Sequence, residues 1–182
     1  MSVLSDRPSP CLCFHVHQPL RLVNYDFFRI GEHATYENDR LNEAVISRVA
    51  ESSYLPATRL LEELISSTDG RFRFALSFSG VLLEQLEDCR ADVLTAFRRL
   101  VSTGAVELLG ETYYHSLASL FSGSEFERQV GLHRRKLREL FGVEPRVFRN
   151  TELIYSNRIA ADAERMGFDG ILAEGVPWIL DG

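Results

Sequence analysis

The chain has 182 residues and a formal net charge of −6, with 20 Lys and Arg against 26 Asp and Glu. That balance excludes broad electrostatic attraction for nucleic acid or an anionic membrane surface. At 45% apolar residues the chain is ordinary globular material, enough for one core and short enough for a single domain over 1–182.

The opening Met1-Ser-Val-Leu-Ser-Asp-Arg-Pro carries no long apolar segment, and no run reaches the roughly 18 to 20 residues of a membrane span, so a cytoplasmic protein is expected. Cys11-Leu-Cys-Phe-His-Val-His17 reads as a first strand. Its two cysteines, with the remote Cys89, form neither an even disulfide framework nor a zinc-ligand spacing, and are expected as buried small hydrophobes. Leu41 to Ser66 has helical period, with Pro56 expected to break it in two. Arg71 to Phe78 follows a Thr-Asp-Gly turn as a second strand, and Val81 to Ser102 is helical with Leu82, Leu86, Val93, Phe97 and Leu100 on its apolar face. Ala105 to Leu109 is a third strand. Ser122 caps a helix that Gly142 stops after Phe141, and the basic run Arg134-Arg-Lys136 is its solvated face. Arg146 to Asn150 is a fourth strand, Ser156 to Met166 a helix, and Asp169 to Ala173 a fifth strand.

Strand and helix alternating at this spacing predict α/β architecture with a parallel sheet, part of a (β/α) barrel because five units are too few to close one. In such sheets chemistry gathers after the strands' carboxyl ends. Those positions hold His15, His17 and Gln18, then Ser77 and Ser79, then Glu111, Tyr113, Tyr114 and His115, then Arg149, Asn150 and Glu152, and lastly Glu174 and Trp178.

His15 and His17 share one strand face, which suits two hydrogen-bond donors to a sugar, or a metal site completed by Glu111 or His115. Glu152 has two readings: a carboxylate held ionised beside Arg149 and Asn150, or the first turn of a short helix capped by Thr151, where negative charge suits the helix dipole. Tyr113, Tyr114 and Trp178 offer stacking faces for sugar rings or core packing, and in extended backbone only one of the two tyrosines faces a cleft.

Three segments in order, His15-Val-His17-Gln-Pro19, Gly110-Glu-Thr-Tyr-Tyr-His115-Ser-Leu117 and Phe148-Arg-Asn-Thr-Glu152, resemble the first three conserved segments of glycoside hydrolase family 57, closest to its α-amylase-type members. The resemblance implies an incomplete seven-stranded (β/α) barrel, here truncated after about five βα units. It implies a retaining enzyme on α-1,4-glucans, of α-amylase or 4-α-glucanotransferase type, with Glu152 as nucleophile. His17 and His115 would contact sugar, His15 would be the paired first-strand histidine, and Arg149 fills a position other subgroups give to Trp. Glu111, Glu174 and Trp178 are further substrate-binding candidates. No cofactor and no metal are expected. The aspartate that serves as acid/base in the family lies in a fourth segment beyond Gly182, so little hydrolysis is expected from this chain alone, and exposed barrel edges would favour self-association. Two other readings stay open: a non-catalytic α-glucan-binding module, and a metal-dependent hydrolase using His15, His17 and an acid.

Overall fold

The computed structural model describes residues 10–24, 26–32 and 35–175. Trp178 lies outside the described residues. Five strands alternate with helices: β1 (Cys13–Val16), β2 (Phe74–Phe78), β3 (Val106–Leu108), β4 (Val147–Arg149) and β5 (Gly170–Leu172). The helices are α1 (Asp39–Val49), α2 (Leu55–Ser67), α3 (Gly80–Cys89), α4 (Ala91–Ser102), α5 (Ala118–Phe121), α6 (Gly123–Phe141) and α7 (Asn157–Arg165). β1, β2 and β3 pair in parallel in that order, β4 pairs in parallel with β5, and a parallel bridge between Gly110 and Phe148 joins the two groups. The expected α/β class with parallel strands is thus what the chain forms.

β2 is buried at all five positions, as expected of a strand covered on both faces. Phe74, Leu76 and Phe78 pack against α1, α2 and α4 through Ile46, Ile65, Phe97 and Leu100. Ala75 and Ser77 alternate with them and so face the other way. A second apolar cluster, Phe126, Val130, Phe148, Ile159, Ala163 and Phe168, seats α6 and α7 on β4 and β5. α6 serves both clusters, because Leu137 and Leu140 join the first. Its ends match the sequence: the Ser122 hydroxyl accepts from the Glu125 amide, and Gly142 takes the left-handed position at φ 68°.

The expected division of the first helical region falls just before Pro56: a π-helical stretch over Ala50–Tyr54 parts α1 from α2, and Pro56 stands in the first turn of α2. Two local expectations are corrected. The helix expected over Val81 to Ser102 is two, parted at Arg90, whose backbone leaves the helical region at φ −141° and ψ 56°. Its guanidinium binds Asp92, Glu51 and the Ser47 carbonyl, which fixes the break without a Gly or Pro to announce it. Cys11 and Cys13 are exposed rather than buried.

Gly110 is where the two groups of strands meet, and its closeness to Phe168 demands glycine. A Cβ there would lie 2.6 Å from the Phe168 ring, which also packs on Phe148. Gly110→Ala is expected to cost about 1–3 kcal/mol, read as a lower urea midpoint at unchanged slope.

Candidate active site

The site is assembled in the register of the strands. His15 and Ser77 are paired neighbours on β1 and β2, so their side chains leave the sheet on the same face. Both reach Glu111, which lies just past β3: the Ser77 hydroxyl donates to Glu111 Oε2 in a short bond, and His15 Nε2 lies 3.3 Å from that oxygen. Glu111 is 1% exposed. Burial pushes its carboxyl up, but the His15 and Ser77 contacts and the nearby imidazoles outweigh burial and hold it below the usual range. Its backbone is fixed from behind by α6. The fully buried His133 accepts the Glu111 amide at Nδ1 (3.3 Å) and donates from Nε2 to the Phe78 carbonyl (2.7 Å), which defines its neutral tautomer. Burial depresses the His133 pKa accordingly.

His17, at the end of β1, approaches Ser79 Oγ at 2.7 Å through Nδ1. That hydroxyl oxygen also accepts the Leu82 amide at the start of α3, so its proton is free for His17. His17 therefore accepts at Nδ1 and carries its proton on Nε2. Three histidine rings gather here: His15 and His115 have centroids 4.8 Å apart, and His17 and His115 4.4 Å apart. Burial first, then the neighbouring His115 and His15, push His17 down to about 4. Because its folded pKa is depressed from 6.5, the unfolded chain binds more protons between pH 6.5 and 4, and stability falls as pH is lowered through that window. His17→Gln should flatten the urea-unfolding free energy between about pH 7 and 4.5 in chelator-treated buffer, whereas the unaltered chain should lose stability across it.

His115 and Glu152 come from different loops and meet: His115 Nε2 donates to Glu152 Oε1 at 3.0 Å. The loops are tied beneath them by a Thr112–Thr151 hydroxyl bond of 2.9 Å and by Asn150, whose amide donates to Ser119 and to the Ile154 carbonyl. The His115 bond and charge, and more weakly Arg149, hold the Glu152 carboxyl below its ordinary value. Glu152 lies in a 3-10 turn over Thr151–Leu153, but not in helical conformation: Glu152 and Leu153 have φ of 53° and 56°, and His115 has 51°. A helix-capping role thus does not describe this carboxylate. Left-handed backbone at non-glycine residues is strained and collects at functional sites. Three of the four such residues among those described lie in these two loops, the fourth being Asp69.

Arg149 comes directly after Phe148 on the strand and faces opposite to that core ring, with Nη1 buried and unpartnered. Glu174 lies beyond β5 and is exposed, and no contact among the described residues draws it into the cluster. Tyr113 is buried, donating to Glu84 at 2.6 Å, while Tyr114 is 46% exposed, so only one of the pair is open to a ligand. Thr112, Thr151 and His133 support the site without having been expected there; His133 stands at a buried position of α6 that periodicity assigns to packing alone. Beside the site runs a cavity of about 440 Å³ lined by His15, His17, Gln18, Tyr54 and Leu61.

Parallel βα units that carry histidines and carboxylates at the strand ends, with left-handed backbone at one exposed glutamate, are the arrangement in which (β/α) barrels gather their chemistry, and make this rim the candidate site. The description Glycosyl hydrolase family 57 matches residues 11–182, and the chain belongs to that family. It is 44% identical over 171 residues to a Methanocaldococcus jannaschii protein named "Putative alpha-amylase", covering 92% of this chain and 36% of that protein, so the chain spans about a third of its relative's length. In fold it is similar to 4-alpha-glucanotransferase from Thermococcus litoralis, with a TM-score of 0.68 at 20% identity over 90% of this chain and 22% of that one. The alpha-amylase AmyC from Thermotoga maritima gives 0.63 at 13% identity, covering 90% of this chain and 39% of AmyC. No helix among the described residues is long and apolar enough to cross a membrane.

Proposed function

We propose that this chain is the N-terminal part of the barrel of a retaining enzyme acting on α-1,4-glucans, an α-amylase or a 4-α-glucanotransferase, with Glu152 as its nucleophile. The observation that carries the reading is the His115–Glu152 pair on strained backbone at the strand ends. A nucleophilic carboxylate must be ionised and open to the anomeric carbon, and Glu152 is held below the usual carboxylate range with its side chain 71% exposed. In the first step a Glu152 oxygen bonds to the anomeric carbon as the glycosidic C–O bond breaks, and an acid protonates the departing oxygen. In the second, water attacks the same carbon as its bond to the Glu152 oxygen breaks and returns the carboxylate, and the water's proton passes to the group that was the acid, now a base; a sugar hydroxyl in place of water gives transfer.

The acid must stand about 5–5.5 Å from the nucleophile. We place it on an aspartate outside residues 1–182, in the length by which the relatives exceed them, and Glu111 is left to a positioning role because it is buried, accepts from Ser77 and lies 3.3 Å from His15 Nε2. His17, with its Nε2 proton, and Arg149 through its unpartnered Nη1 are donors for sugar hydroxyls, and His15 and Tyr114 line the same rim. Glu174 and Trp178 are proposed to bind sugar further along it. The outer edges of β1 and β5 would pair with further strands of the barrel or with another copy.

The test is covalent trapping. The chain with its downstream sequence, treated with a fluorinated glucosyl fluoride that forms the intermediate quickly and releases it slowly, should yield a glycosylated peptide containing Glu152 by mass spectrometry. A label on another carboxylate would overturn the assignment.

A further inference from the structure

We infer that His15, Glu111 and His115 form a binding site for one divalent transition metal of the zinc class. The inference does not rest on Glu152 being a nucleophile. One ligand atom from each of the three residues lies within 4.8 Å of the others. An independent observation points to the same place: among the buried side-chain atoms that lack a hydrogen-bond partner are His15 Nε2, Glu111 Oε1 and His115 Nδ1, one from each residue. Glu111 is 1% exposed, and a buried carboxylate oxygen with no donor is costly unless a cation or proton meets it.

The protonation pattern suits a metal. His115 donates from Nε2 to Glu152, so in the neutral ring its buried Nδ1 carries a lone pair. A metal on Nδ1 with a carboxylate on the opposite nitrogen is the carboxylate–histidine–metal arrangement that orients ligands in many zinc sites. Glu111 Oε2 is already held by Ser77, which leaves Oε1 for coordination. Two imidazoles and one carboxylate are a zinc, nickel or cobalt donor set with a further position open to water. Ligand bonds of roughly 2.0–2.2 Å put tetrahedral donors about 3.4 Å apart, so the site must contract by a little over about 1 Å on loading. His17, the second first-strand histidine, is not among the three residues whose ligand atoms converge.

The untagged 182-residue chain, stripped with chelator, is titrated with zinc by calorimetry near neutral pH without glucan. One ion per chain with a dissociation constant of about 1 µM or tighter is expected, with a melting temperature raised by about 5 °C at saturating metal. His15→Gln, His115→Gln and Glu111→Gln should each weaken binding at least ~10-fold, whereas His17→Gln should leave it within about twofold. Cobalt, which needs no variant, should give visible absorption bands without a thiolate charge-transfer band. Binding weaker than about 100 µM, affinity unchanged by all three ligand variants, or a thiolate band assigning the ion to Cys11 and Cys13 would each overturn the site. Loss of covalent trapping at Glu152 would leave these results untouched, so the two readings fail separately.

Discussion

In the chain joined to its downstream sequence, Glu152→Gln should lower kcat on amylose by about 10³–10⁶-fold while glucan binding changes by less than about tenfold. The size comes from the mechanism: the amide is isosteric and still accepts from His115, but cannot form the glycosyl ester through which a retaining enzyme divides its barrier. Glu152→Gly separates the chemistry from the backbone. Glycine tolerates the left-handed conformation that Glu152 adopts at φ 53°, so this variant should be as stable as the parent or up to about 1 kcal/mol more stable by urea unfolding. The ion pair it loses is with a largely exposed carboxylate and contributes little. Azide should partly restore turnover to Glu152→Gly by attacking in place of the missing carboxylate, giving a β-glucosyl azide. Turnover within about tenfold of the parent for both variants, measured as reducing-sugar release, would rule out Glu152 as the nucleophile.

Why that glutamate was legible only as one of two readings is a matter of backbone. Asn150-Thr-Glu-Leu looks like a capped first turn, because Thr and Asn favour caps and Glu favours helix N-termini. Nothing in a one-dimensional pattern announces two consecutive left-handed residues at Glu152 and Leu153, since leucine is poorly suited to that region and is held there by the fold around it. The alternation of units was readable because β2 is apolar nearly throughout and α6 has clear start and stop signals at Ser122 and Gly142. The break at Arg90 was not, because it is fixed by contacts with Glu51 and Ser47, which lie 39 and 43 residues away. The exposed cysteines fall in the same class: strand alternation says which residues share a face, not whether anything covers it. Among the site residues, His15, His17, Glu111, His115 and Glu152 were reachable because each stands near or just past the carboxyl end of a strand. Ser77 and Ser79 stood at such positions too, but their partners Glu111 and His17 are 34 and 62 residues distant in sequence.

The second large effect belongs to Glu111, and its sign separates positioning from catalysis. Glu111→Ala should cost about 2–4 kcal/mol in urea unfolding, because it opens a cavity in a wholly buried place and strands the Ser77 hydroxyl without an acceptor. Glu111→Gln keeps an oxygen for Ser77 and should cost about 1 kcal/mol. The acid side of the stability profile discriminates further. Glu111 titrates below its unfolded value of 4.5, so its contribution is fully present above that pH and is lost as pH falls through the lower folded value. His17, depressed to about 4, weakens the chain over the adjoining window from 6.5 downward. Acid unfolding should therefore begin with His17 and end with Glu111, and Glu111→Gln should remove only the lower part. If Glu111 were instead a proton donor at the reaction's working pH, its carboxyl would need to stay protonated well above 4.5, and the Gln variant would flatten stability near neutrality. The hydrogen bond from Ser77 and the neighbouring His15 argue for the opposite: an anion locked in place, whose work is to hold the first-strand histidine and the loop carrying His115 in register with Glu152.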